Sequence, residues 1–398
     1  MLKSLMLRKL GDHLRDLPLA VHLWSGEVLA SPEPVVRIKA EDPRALRVLA
    51  RPSLGGLARA YVEGWIDLHG NARDILDLGR SLCKADSTVE NRNLGDWRWW
   101  NHSRSRDRRN ISYHYDVSND FYGLWLDRNR VYSCAYFENP DDTLDTAQEK
   151  KLDHICRKLM LKPGERFLDI GCGWGGLILH AAEKYGVHAT GITLSENQRD
   201  YVVAEICRRG LEGRVEVRLM DYRDVTVDLP YDKIASVGMF EHVGTRNLPA
   251  YFAKIRDLLR PGGLVMNHGI TSSAVDFNGL GSGIAEFVDD YVFPGGELTH
   301  VSTVMREMAV AGLEPLDAEN LRPHYAKTLW NWVERLESRK EEALQLIGEQ
   351  KYRIWRIYMA GSAYAFERNW MALYQILGGR PQQDGKQEYP FNRRHIYN

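Results

Sequence analysis

The chain has 398 residues, 44% of them hydrophobic, and a formal net charge of −1; this allows one large domain or two with a real apolar core, and gives no global field to attract nucleic acid or an anionic surface. Its five scattered cysteines, Cys83, Cys134, Cys156, Cys172 and Cys207, form no C-x-x-C pair, which argues against a zinc site or a disulfide scaffold and for a reducing cytoplasm. No apolar run approaches the ~20 residues of a membrane span, and the first residues do not read as a secretion signal.

The N-terminal stretch places Leu2, Leu5, Met6 and Leu10 on one helical face with Lys3, Arg8, Lys9 and Arg15 around the other. That pattern suits a helix lying on an anionic membrane or, more simply, a terminal helix packed on its own domain. From 17 to 83 come short apolar runs (Ala20 to Trp24, Val35 to Ile38) and helix-like segments (Gly55 to Glu63, Ala72 to Leu82). Residues 84–110 turn polar and irregular, with Trp97, Trp99 and Trp100 ahead of a basic stretch ending at Arg109. They read as an interdomain linker, or as a surface for lipid headgroups or nucleic acid. Strand and helix patterns then alternate. Strands are predicted at Arg166 to Ile170, His188 to Thr193, Val215 to Met220, Ile234 to Val237 and Leu264 to His268; helices at Gly175 to Tyr185, Glu196 to Arg209 and Leu248 to Leu259. This alternation predicts an α/β fold, a doubly wound, mostly parallel, Rossmann-like sheet, preceded by a smaller N-terminal unit. Residues 272–322 read as a mostly helical insertion that builds a substrate pocket, and 323–368 as a helix-rich, aromatic-rich tail. The expected division is 1–83 accessory domain, 84–110 linker and 111–398 catalytic domain.

The stretch Leu168-Asp169-Ile170-Gly171-Cys172-Gly173-Trp174-Gly175-Gly176 reads as a strand entering a glycine-rich turn and then a helix. Gly171, Gly173 and Gly176 satisfy the G-x-G-x-x-G spacing of a dinucleotide site. Two features oppose a nicotinamide ligand: Asp169 would face a pyrophosphate with like charge, and the next strand ends Gly191-Ile192-Thr193-Leu194-Ser195, with no carboxylate for the ribose. A carboxylate beside the loop suits a cation, and S-adenosylmethionine carries a sulfonium and an ammonium. Glu241 and His268 fall at the carboxyl ends of adjacent predicted strands, by the same crevice as Asp169. Singly, each has a structural explanation, as does Cys134; together they mark a site.

At these residues the chain resembles the cyclopropane-fatty-acid synthase family, which includes the mycolic acid cyclopropane synthases. The resemblance runs through Tyr113-His114-Tyr115-Asp116-Val117, Tyr132-Ser133-Cys134, the glycine loop, Thr193-Leu194-Ser195-Glu196-Asn197-Gln198, Phe240-Glu241-His242-Val243-Gly244, Phe293-Pro294-Gly295-Gly296 and Tyr325-Ala326-Lys327. Ala60-Tyr61-Val62-Glu63-Gly64-Trp65 resembles the accessory domain of the full-length bacterial synthases.

The resemblance implies a class I S-adenosylmethionine-dependent methyltransferase that adds a methylene to the cis double bond of a phospholipid acyl chain. Methyl transfer leaves a carbocation, for which Tyr113, Tyr115 and Tyr325 are candidate aromatic stabilisers. Bound bicarbonate then removes a proton so that the ring closes. It implies Cys134, Glu241, His268, Tyr325 and the backbone of Ile270 as the bicarbonate site, with Glu241 orienting the anion and Cys134 a polar donor rather than a nucleophile. The implied methyl-donor contacts are Tyr132, Ser133, Asp169, Gly171, Gly173, Thr193, Leu194 and Gln198, with Asp221 and Tyr222 flanking the adenine. No metal and no nucleic acid are expected. The expected location is cytoplasmic, peripheral to the inner face of the membrane, with a homodimer left open. The alternative is a related fatty-acid C-methyltransferase giving a methyl or methylene branch.

Overall fold

The structure, a computed structural model, describes residues 11, 17–83, 118–226, 228–275, 280–293 and 296–397. The expected linker, the segment expected to form a basic N-terminal helix (Gly11 apart), Tyr113 and Tyr115 lie outside the described residues. The described residues cluster into two compact units.

The first unit takes 17–83 together with 280–293 and 329–370. Its sheet has the order β2-β1-β3-β4, from β1 (Leu19–Leu23), β2 (Val28–Ala30), β3 (Val36–Ala40) and β4 (Ile66–His69). Along β3, Val36, Ile38 and Ala40 are buried while Arg37 and Lys39 are exposed, the period-two signature of a sheet with one covered face. Compactness here does not follow chain order: the expected catalytic stretch contributes Phe287, Val292, Ile354 and Tyr358 to a cluster with Val62. Buried Arg356 adds polar ties, donating to Tyr61 Oη at 3.2 Å and to Glu337 at 2.7 Å. The helix Leu54–Val62 starts against Ser282, whose backbone oxygen accepts from Gly55 N at 2.9 Å and whose Oγ accepts from Leu54 N at 3.0 Å.

The second unit carries a seven-stranded sheet in the order β10-β11-β9-β8-β5-β6-β7. Its strands are β5 (Arg166–Ile170), β6 (His188–Thr193), β7 (Val215–Leu219), β8 (Tyr231–Val237), β9 (Leu259–Ser272), β10 (Glu314–Asn320) and β11 (Met371–Gly379). β5 to β9 pair in parallel, whereas β11 runs antiparallel to both β9 and β10. The doubly wound expectation thus stands, with β8 starting three residues earlier than expected and β9 running past the expected Leu264 to His268 at both ends. The difference lies in β10, within a stretch expected to be mostly helical, and in β11, for which no strand was expected. Both faces of the sheet are covered. Phe167 packs in one core with Leu152, Ile155, Ile178 and Val202, while Leu168 and Ile170 pack in the other with Phe252, Ile255 and Val304. Such burial is why β5 reads as a near-continuous apolar run, and why Asp169, on the Phe167 face and 2% exposed, stands out.

A Cβ on Gly55 would lie 1.8 Å from the Gly283 oxygen, whereas one on Gly79, inside the helix Ala72–Cys83, would meet only Leu54 Cδ2 at 3.4 Å. Gly55→Ala should therefore lower the melting temperature by several degrees, and Gly79→Ala should leave it unchanged or raise it through helix propensity. Melting curves of the two variants, read side by side, check the packing; equal melting would contradict it.

Candidate active site

The chain order of the parallel strands reverses at β5, between β6 and β8, and one cavity opens at their carboxyl ends, where such sheets bind ligands. Gly171, Gly173 and Gly175 have φ of 84°, 54° and 81°, left-handed values that favour glycine and turn the chain sharply from β5 into the helix Gly176–Tyr185. The Gly171 and Cys172 amides donate to Ile192 O at 3.0 and 2.9 Å, which ties the turn to the end of β6. Ser195 caps the helix Glu196–Arg209 by accepting from Gln198 N at 3.3 Å, and Thr193 Oγ1 donates to Gln198 Oε1 at 2.6 Å.

Every residue assigned above to the methyl donor lines this cavity: Tyr132, Ser133, Asp169, Gly171, Gly173, Thr193, Leu194, Gln198, Asp221 and Tyr222. Arg130, Lys151, Met239 and His242 line it too, and sequence reasoning passed them over. Burial pushes the Asp169 carboxyl up to about 7, against the pull of the nearby Lys151 charge, and its Oδ1 is buried without a hydrogen-bond partner. A buried acceptor with no donor of its own, at the mouth of a glycine turn, fits a cationic ligand.

The segment from Val131 to Phe137 is held from two sides. Gln148 and Lys151, on the helix Leu144–Lys158, donate to Ser133 O and Ser133 Oγ, each at 2.8 Å. From the helix Arg322–Ser338, Thr328 Oγ1 accepts from Ala135 N and His324 Nδ1 from Phe137 N, each at 3.0 Å. These bonds bring Cys134 to Leu321, whose oxygen lies 3.8 Å from the Cys134 sulfur and also accepts from Tyr325 N at 3.0 Å. Burial pushes the Cys134 thiol far up, so it is an S–H and a weak donor.

Glu241 lies on a 3-10 turn, Phe240–His242, that follows β8. Its Oε1 accepts from Ile270 N at 2.7 Å, while Oε2 is buried with no partner; burial raises the carboxyl to about 7. Of the Ile270 backbone, expected at the anion, the N–H is thus engaged in positioning this carboxylate. Gly269 makes the approach feasible, since a Cβ there would lie 2.1 Å from the Phe240 ring and 2.9 Å from Glu241 Oε1. His268 sits opposite Val237 of β8, its Nε2 buried and unpartnered. Cys134, Glu241, His268, Ile270 and Tyr325 lie off the cavity's own lining, but Cys134 directly follows Ser133, and Glu241 stands between Phe240 and His242, next to the lining residues Met239 and His242.

Fold and cavity define a class I S-adenosylmethionine-dependent methyltransferase. The family model for mycolic acid cyclopropane synthetase matches residues 102–376, and the chain belongs to that family. It is 46% identical over 395 residues to a "probable fatty acid methyltransferase" of Pseudomonas putida, covering 98% of this chain and 100% of the relative. It is 35% identical over 344 residues to the cyclopropane-fatty-acyl-phospholipid synthase of Escherichia coli, covering 85% and 86%. The crystal structure of mycolic acid cyclopropane synthase CmaA1 complexed with SAH and CTAB superposes with a TM-score of 0.64 at 35% identity, covering 68% of this chain and 98% of that one.

With the Asp169 carboxyl raised to about 7, a cationic donor binds its ionised form. Donor affinity should then fall as pH drops from 7.5 to 5.5, by up to about tenfold per unit below the pKa, while Asp169→Asn binds more weakly with a flat profile. Calorimetric titration across that range is the check; a constant wild-type affinity would remove Asp169 from the donor site.

Proposed function

We propose that this enzyme converts the cis double bond of an unsaturated phospholipid acyl chain into a cyclopropane ring. S-adenosylmethionine, when bound, supplies an electrophilic sulfonium methyl, a match for so weak a nucleophile as an alkene. Bicarbonate, when bound, supplies the base that the carbocation stage requires. The observation that carries the reading is Glu241: one oxygen is anchored by Ile270 N at 2.7 Å and the other is buried with no partner. A carboxylate held this way can accept a hydrogen bond from an oxyanion's hydroxyl. The His268 Nε2 atom, unpartnered and buried, and the Cys134 S–H can serve its charged oxygens. Buried Tyr325 offers a ring face that stabilises a cation without attacking it. Asp169 and the glycine turn orient the donor, and the apolar walls keep water from quenching the cation.

Delivery of such a chain requires work at a bilayer surface, and we place the enzyme there as a peripheral protein. Among the described residues no helix is long and apolar enough to cross a membrane.

A second reading, a fatty-acid C-methyltransferase in which the same cation ends as a methyl or methylene branch, draws support from the Pseudomonas putida relative, 46% identical over nearly the whole chain. Ring closure is favoured because Cys134, Glu241, His268 and Tyr325 are all present, a set that a branch-forming enzyme does not need in full.

Glu241→Gln keeps the side chain's size and loses its charge. Turnover on unsaturated phospholipid vesicles, read by chromatography of the fatty-acid methyl esters, should fall by roughly 10² or more. Donor affinity should hold, since the donor residues lie on the glycine turn and Thr193 to Gln198. Lost donor affinity with turnover retained would sink the assignment.

A further inference from the structure

Antiparallel register sets Gln375 of β11 directly across from His268 of β9, so their side chains share a face. The Gln375 amide stands 3.2 Å from His268 Nδ1 through its Nε2. Its other end, Oε1, accepts from Lys158 Nζ at 2.8 Å. Lys158 in turn donates to Glu319, which also bonds His154 Nε2 at 2.8 Å. Although burial raises it, the Glu319 carboxyl is held down to about 2 by the His154 hydrogen bond and the Lys158 charge, so it stays an anion and anchors the ammonium. All the inner members are buried: Gln375 is 0% exposed, Lys158 and His268 1% each.

Donor and acceptor bookkeeping fixes the hydrogens along this chain. An ammonium has only donors, so the amide must turn its oxygen to Lys158 and its NH2 to His268. His268 Nδ1 therefore accepts. Burial, together with the charges of Lys151, Lys158 and His154, pushes the imidazole well below its ordinary range, so the ring is neutral and carries one proton. That proton can sit only on Nε2, the atom left buried without a partner.

We propose that Gln375, oriented by Lys158, is a positioning residue that locks His268 into the Nε2–H tautomer and thereby makes it a hydrogen-bond donor to the reacting site. The need is chemical: an imidazole with the opposite tautomer would present a lone pair to an anionic base and repel it. For metal-bound histidines, outer partners that fix the tautomer typically matter about 10- to 100-fold, and an effect of the same order is expected here. The functional half of this inference rests on the bicarbonate reading above; the tautomer itself does not.

The test uses full-length enzyme labelled with 15N-histidine and long-range 1H–15N correlation, with His268 assigned by its loss in His268→Asn. Wild type should show a protonated Nε2 and a bare Nδ1. Gln375→Glu replaces the amide by an acceptor and should move the proton to Nδ1. Its turnover should fall roughly 10- to 100-fold with donor affinity within about twofold. Gln375→Met, which keeps the bulk without the amide, should give mixed tautomers and an intermediate rate. Wild-type enzyme protonated at Nδ1 would overturn the inference whatever the variants do. A switched tautomer at unchanged turnover would overturn the positioning role. If the tautomer and rate results hold but turnover ignores added bicarbonate, the relay stands and bicarbonate leaves the reading.

Discussion

The hydrogen bond from the Ile270 amide to Glu241 depends on a place where the sheet runs out. β8 pairs with β9 as far as Val237 opposite His268, and Gly238 N makes the last link, to His268 O at 2.8 Å. Beyond that point, among the described residues, this side of β9 meets only an isolated bridge from Ser272 to His300, while β11 continues to pair on the other as far as Ser272. An amide without a ladder partner must find another acceptor. The turn after β8 brings Glu241 to supply it, across the room left by Gly269. Half of the carboxylate is satisfied by backbone and the other half is left buried, a costly arrangement that a purely structural residue has no reason to keep.

The same economy runs through the buried cations. Lys151 and Lys158 are each 1% exposed, and burial pushes Lys151 down to about 8. Desolvating an ammonium costs several kcal/mol, offset here by Ser133 Oγ for Lys151 and by Glu319 and Gln375 for Lys158. Their charges help keep His268 neutral. A carboxylate whose own pKa is raised to about 7 and a neutral imidazole are what the proposed site for a small, protonatable oxyanion calls for.

Much of this was legible in the sequence because the chemistry sits at strand ends. The parallel strands are apolar runs bounded by glycine, and Asp169, Glu241 and His268 interrupt or follow them at the carboxyl side. β10 escaped notice because its sequence, Glu-Pro-Leu-Asp-Ala-Glu-Asn, is polar and only partly buried, with no alternation to read. The supporting layer was missed for a different reason. Gln148, Lys151, His154 and Lys158 recur at helical spacing on Leu144–Lys158 and are buried, but a polar stripe reads as a solvated face until something is packed on it. Gln375 lies 107 positions from His268, and only the β9–β11 register reveals their pairing. Tyr132 and Tyr325 were reached by family resemblance, and Cys134, which on its own read as a buried residue, took its role from it; what the structure adds is the pair of helices that clamp the Val131 to Phe137 segment.

Ring closure means that the transferred methyl gives up one proton and becomes the bridging methylene, and the direct measurement follows that carbon. Donor carrying a fully deuterated methyl, turned over on monounsaturated phospholipid, should yield acyl chains that retain two deuteria on the added carbon and show cyclopropane proton resonances at the neighbouring positions. A chain that keeps all the label as a methyl branch, or one whose added carbon appears as a vinylidene, would contradict cyclopropanation and make this enzyme a branch-forming methyltransferase.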